Sequence, residues 1–189
     1  MAWTRRRFVG GSRAVETEVS ESVGRFVCGA WNPKIPGYAR HIRERMEHEL
    51  AKEQSGRQVD LKVGMGGLAD IDCLLQLVQI RESATRAEFR VAGTRQLLID
   101  LPPNDFVDGD DAQRLRVCHE FLRTLETVLR IQADSSRGWM STDSTELEPV
   151  AAKIGIGPAP GEALLLRYRE VTREIHDIFE RGMKKLKAK

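Results

Sequence analysis

Apolar residues recur along this chain at three- and four-residue spacing, in blocks separated by glycine, proline and aspartate. Each block predicts a helix with a buried face. The first covers residues 13–28, striped by Val15, Val19, Val23 and Phe26. Residues 29–37 (GAWNPKIPG) carry two prolines and two glycines and predict a connector. Residues 38–53 predict a highly charged helix with a narrow apolar face of Ile42, Met46 and Leu50. A loop at 54–59 leads to a glycine hinge, Gly64, Gly66 and Gly67. Leu68, Ile71, Leu74, Leu75 and Val78 then share the face of a further helix. Residues 82–93 are mixed and polar, and a short helix is expected from Thr94 to Leu101, with the Thr94 hydroxyl placed to cap amides.

The second half repeats this alternation. Residues 101–111 (LPPNDFVDGDD) form a connector, with Asp110 or Asp111 the expected N-cap of a long helix at 112–132. Its stripe is Leu115, Cys118, Leu122, Leu125 and Leu129, widened by Phe121 and Val128. Residues 133–149 read as a polar loop, anchored to the surface by Trp139 and Met140. A short helix at 150–154 meets the break GIGPAPG, and Leu164, Tyr168, Val171, Ile175, Ile178 and Phe179 mark a last helix at 162–184. The pattern predicts an all-α bundle of about six helices with no substantial sheet and no internal repeat. A basic N-terminal segment at 1–12 precedes a helical domain at 13–189.

Composition narrows the class. The 189 residues are 41% hydrophobic and 31% charged, enough to bury a core and ordinary for a globular domain. A net charge of +2 gives no case for nucleic-acid or membrane partners. No apolar run reaches the length of a membrane span, and the basic start lacks the apolar centre of a secretion signal. Cys28, Cys73 and Cys118 are odd in number and widely spaced, and they read as buried thiols in a reducing, cytoplasmic compartment.

The chemistry-bearing stretch is DLKVGMGGLADIDCLLQLVQIR, residues 60–81. Lys62 precedes the glycines, and Asp70 and Asp72 fall in the first helical turn, where the positive end of the helix dipole favours carboxylates. A Gly-rich entry can cradle an anion on exposed amides, or it can simply turn tightly into a core helix. Neither familiar phosphate fingerprint is met, so spacing leaves both uses open. Asp70 and Asp72 diverge by roughly 200 degrees on a helix, unlike a metal-clasping pair on a strand. His41 and His48 are too far apart for a metal pair, and the acids at 105–111 fail the EF-hand spacing. The histidines sit on charged helix faces, and no nucleophile–base arrangement is suggested. No catalytic residue and no metal ligand is assigned.

The run D-L-K-x-G-x-G-G-L-x-D-I-D-x-x-x-Q resembles the motif opening the helical domain that follows each nucleotidyltransferase domain in bacterial glutamine synthetase adenylyltransferases. A related pattern occurs in the uridylyltransferases of nitrogen signalling. Asp60, Lys62, Gly64, Gly66, Gly67, Leu68, Asp70, Ile71 and Gln76 fit. Asp72 stands where the family usually has Glu, and Cys73 where it usually has an aromatic residue. The segment FLRTLE, then Leu129-Arg130, resembles a second signature of the family, with Thr127 and Val128 in place of its usual histidine and arginine. An Arg123–Glu126 pair on one helix face is the structural expectation there. Trp3-Thr4-Arg5-Arg6-Arg7 resembles the hand-over from the nucleotidyltransferase domain, so the chain is expected to begin just after such a domain would end.

The resemblance implies a helical accessory domain that shapes or regulates AMP transfer to or from glutamine synthetase, without catalytic metal ligands of its own and inert alone. Its contact candidates for nucleotide or partner are Lys62, Gly64, Gly66, Gly67, Asp70, Asp72 and Gln76. ATP and magnesium are expected only with a nucleotidyltransferase domain, in the same or a separate chain. That domain is the expected partner, with glutamine synthetase a further one. The alternative is a stand-alone helical interaction or regulatory module that has lost the enzyme activity.

Overall fold

A computed structural model of the chain describes residues 9–51, 56–90, 93–133, 138–157 and 159–188, with Cys28 and Ala133 described in backbone only. The arginine cluster at 5–7 lies outside these residues. Seven α-helices are present among the described residues: α1 (Arg13–Cys28), α2 (Ile35–Leu50), α3 (Leu68–Glu82), α4 (Thr94–Ile99), α5 (Gly109–Ala133), α6 (Ser144–Lys153) and α7 (Pro160–Ala188). The all-α expectation holds. The one sheet is a two-stranded antiparallel ribbon, β1 (Gln58–Asp60) on β2 (Trp139–Ser141), with Val59 opposite Met140.

The helix that the motif opens is the centre of the molecule. Leu68, Ile71, Leu74, Leu75, Leu77, Val78 and Ile80 of α3 are all buried. A helix apolar nearly all round must be enclosed, and α1, α2, α4, α5 and α7 all contact it. Close approach needs small residues. A side chain at Gly182 of α7 would meet Leu74 Cδ1 at 2.6 Å, and one at Gly161 would meet the Ser144 carbonyl oxygen of α6 at 1.8 Å. Ion pairs fasten the long α7 at its far end. Arg40 of α2 grips Glu180 in two bonds of 2.7 and 3.1 Å, and Arg181 reaches Asp111 of α5 at 2.7 Å.

Several boundaries differ from the sequence expectation. Helix α2 begins inside the expected connector because Pro36 lies in the first turn, where a missing N–H costs nothing. The N-cap of α5 is Asp108, whose Oδ1 accepts the Asp111 amide at 2.8 Å; Asp110 and Asp111 are already helical. Thr94 does not cap α4. The N-cap position is Gly93, and the Thr94 hydroxyl turns to Asp72 instead. The expected loops at 54–59 and 133–149 contribute β1, β2 and most of α6, which Asp143 caps by accepting the Thr145 amide. Met140 is fully buried rather than a surface anchor, and Cys73 is only partly buried. The α1 stripe is largely open: Val15, Val19 and Phe26 are exposed.

Candidate functional site

The loop from Asp60 to Leu68 is built around two carboxylates. Asp60 Oδ1 accepts the amides of Lys62 and Val63, each at 2.9 Å, which folds the chain back on itself. Asp70, one turn into α3, accepts the Gly66 amide on Oδ2 at 2.7 Å and pairs through Oδ1 with Arg43 Nε of α2 at 2.5 Å. The same guanidinium donates to the Gly64 carbonyl at 2.7 Å. Burial pushes the Asp70 carboxyl up from its ordinary value, opposed by Arg43 and by the Gly66 amide.

The glycines contribute shape. Gly66 has φ +68°, a left-handed conformation that favours glycine, and a Cβ there would lie 1.9 Å from the Thr172 carbonyl oxygen of α7. At Gly67 a Cβ would come within 2.9 Å of three carbonyl oxygens of the loop. The amides of Gly64, Gly66 and Gly67 bond to the Asp60 carbonyl, the Asp70 carboxylate and the Gly64 carbonyl. Leu68 and Ala69 donate to the carbonyls of Leu61 and Lys62. These hydrogens are spent inside the loop, so the motif holds a shape and presents a side chain.

That side chain is Lys62. It is exposed on the wall of an open cleft of about 600 Å³ between the motif loop, α3, the start of α4, and α5. Asp72 lines the cleft from α3 and accepts the Thr94 hydroxyl of α4 at 2.5 Å. Asp70 and Asp72 thus point to different partners, and the pair does not fit a shared metal. Among the described residues no three His, Cys, Asp or Glu side chains gather as a metal site. Gln76 lies one turn beyond Asp72, buried, and is not part of the cleft wall.

The opposite wall is α5. His119, Arg123, Glu126 and Arg130 follow one another at spacings of four, three and four, which places them on one helix face. Glu126 is nearly fully buried and takes Arg123 on Oε2 at 2.7 Å and Arg130 on Oε1 at 2.8 Å. The expected Arg123–Glu126 pair is present, with Arg130 added. His119 belongs to the cleft and not to a solvated charged face. Burial holds its imidazole below the usual 6.5, although Asp72 pulls the other way. The polar four-three-four stripe is visible in the sequence, flanking the leucine stripe at about 100 degrees round the helix. It marks His119 and Arg130 as cleft residues.

The molecule is therefore a helical domain with a charged cleft between a glycine-shaped loop and a long helix. Residues 39–182 match the family model described as GlnD PII-uridylyltransferase, and the chain belongs to that family. The match starts in α2 and ends in α7, leaving α1 outside it. The chain is 28% identical over 142 residues to the bifunctional glutamine synthetase adenylyltransferase/adenylyl-removing enzyme of Leifsonia xyli subsp. xyli, covering 75% of this chain and 14% of that protein. The enzymes of the same name from Nocardia farcinica and Mycobacterium tuberculosis (strain H37Rv) are 33% and 34% identical over 53% and 48% of this chain, and 9% of each relative. The matched part is thus a small fraction of each relative's length. No helix among the described residues is long and apolar enough to cross a membrane.

Proposed function

We propose that this chain is a helical accessory domain for AMP transfer to or from glutamine synthetase, working beside a nucleotidyltransferase domain that supplies ATP and magnesium. One observation carries the reading. The two signatures that resemble the family lie far apart in sequence, yet Lys62 and Asp72 of the first and Arg123 and Glu126 of the second line the same cleft. A core helix alone has no use for such convergence on an open face. In this role the buried Arg43–Asp70 pair positions the loop, and the cleft side chains contact the nucleotide-bearing site or the protein substrate. The chain itself supplies no metal ligand to the reaction.

The test mixes the full chain with a separately produced nucleotidyltransferase domain of the family and follows labelled AMP on glutamine synthetase. The expected result is a rate that rises with added chain and saturates. A rate independent of the chain, with no complex by analytical ultracentrifugation, contradicts the proposal.

A second reading rests on the departures at Asp72, Cys73, Thr127 and Val128. A family member that drifts at these positions can keep the fold as an interaction module. It then binds its partner while leaving AMP transfer unchanged, which the same experiment distinguishes.

A further inference from the structure

We infer that the cleft is a phosphate-chain site: it holds the phosphates of a nucleotide-sized anion through Lys62 and Arg95 and offers a base little apolar surface. The inference deepens the reading of this cleft as the working face and rests on it for biological meaning, but not for its chemistry.

Lys62 and Arg95 stand on separate walls, one on the motif loop and one at the start of α4. Both are exposed, and neither charged end has an ion-pair or hydrogen-bond partner among the described residues. Most other arginines described in detail are engaged: Arg40, Arg43, Arg86 and Arg181 each hold a carboxylate. The α5 wall adds to the same sign. Arg123 and Arg130 share the single carboxylate of Glu126, so two guanidiniums are balanced by one acid that lies beneath them.

The acids of the cleft do not cancel this. Glu126 is buried and shared between its two arginines, and Asp72 accepts the Thr94 hydroxyl. Glu120 on α5 is the one exposed carboxylate of the wall. Four basic side chains thus face three acidic ones, with His119 held toward its neutral form by burial. Cations from separate elements converging on one concavity suit a multivalent oxyanion, because each can take a different phosphate oxygen. A volume of about 600 Å³ lies within the range of roughly 300–1,000 Å³ usual for small-molecule pockets.

The wall is also poor in surface for a base. Among its described residues it has no Phe, Tyr or Trp; its one aromatic ring, that of His119, is only 9% exposed, and Leu68 is its one sizeable apolar side chain. Bases are held by stacking on rings or guanidinium planes and by apolar contact. Arg123 and Arg130 are each held through one nitrogen by Glu126, which fixes their charge at the cleft wall. The phosphate chain is therefore the part recognised.

The test is calorimetric titration of the full chain with sodium tripolyphosphate, ATP and adenosine, at low salt and without divalent cations. Tripolyphosphate and ATP are expected to bind with Kd values within about threefold of one another, and adenosine not at all. Lys62→Ala and Arg95→Ala should each weaken both about fivefold or more, with circular dichroism unchanged. Lys187→Ala, a distant exposed cation on α7, should have no effect. No tripolyphosphate binding by the unmodified chain overturns the inference, and so does equal weakening by Lys187→Ala. ATP binding far tighter than tripolyphosphate also overturns it, since a base would then be recognised. A chain that binds tripolyphosphate yet leaves AMP transfer unchanged contradicts only the accessory role. One that raises transfer without binding contradicts only the phosphate site.

Discussion

Thr94 donates its hydroxyl to Asp72 across 2.5 Å, and this bond fastens the start of α4 to the central helix α3. It sets the position of Arg95, the next residue, on the cleft wall. Asp72 stands where the resembling enzymes usually carry Glu, one methylene longer. The shorter acid here is matched by a threonine at hydroxyl distance.

Asp72→Ala should therefore lower stability by about 1–2 kcal/mol, the range for a hydrogen bond to a charged group that is partly screened. Asp72→Asn keeps an acceptor and should cost less. Urea titration followed by circular dichroism measures both. Equal losses for the two variants would show that the bond to Thr94 does not hold α4.

The loop should be far less tolerant. Gly66→Ala puts a methyl where the Thr172 carbonyl already lies, in a left-handed backbone conformation. Arg43→Met leaves the Asp70 carboxylate buried without its cation, a change that typically costs about 3–5 kcal/mol. Both variants should show a large fall in the urea midpoint, whereas Lys62→Ala should show none. An unfolding free energy for Arg43→Met within about 1 kcal/mol of the parent would mean that the pair is not the loop's brace.

Acid should weaken the fold through His119. Its folded pKa is lowered from 6.5 by burial, so in mildly acidic solution the unfolded chain binds more protons than the folded one. This part of the stability is complete above about 6.5 and is lost as pH falls through the folded value. Comparing urea midpoints at about pH 7.5 and pH 5 should show a loss that shrinks in His119→Gln. An identical loss in the variant would place the acid sensitivity elsewhere.

The thiols should be sluggish. Burial, aided by neighbouring carboxylates, pushes the pKa values of Cys73 and Cys118 up to about 12. The reactive thiolate is then scarce at neutral pH. Iodoacetamide labelling at about pH 8, read by peptide mass mapping, should be slow at both sites when folded and rapid in urea. Fast folded-state labelling of Cys73 would mean that its side of α3 opens.

Much of this was legible in the sequence, and the exceptions have physical causes. The leucine stripe of α5 announced the buried face, but His119 was expected on a charged helix face, and the cleft face it shares with Arg123, Glu126 and Arg130 went unread. The motif marked where α3 begins. It gave less notice that α3 is enclosed on every side, because Asp70, Gln76 and Gln79 interrupt the apolar run; Asp70 is buried against Arg43, and Gln79 donates to the Phe89 carbonyl. Only the end of α6 was expected, as a short helix at 150–154; its start was hidden by polar residues and by Pro149, which the structure nonetheless places inside the helix after the Asp143 cap. The apolar stripe of α1 predicted burial, yet Val15 and Val19 stay exposed, since periodicity describes a face and not what covers it.

The most direct test of the cleft as the working face is the initial rate of AMP transfer onto glutamine synthetase, with a nucleotidyltransferase domain and either the unmodified chain or Lys62→Ala. Lys62 is exposed, and its charged end has no ion-pair or hydrogen-bond partner among the described residues, so the variant should keep its urea midpoint while the chain-dependent rate falls about tenfold or more. An unchanged rate at an unchanged midpoint would contradict the account.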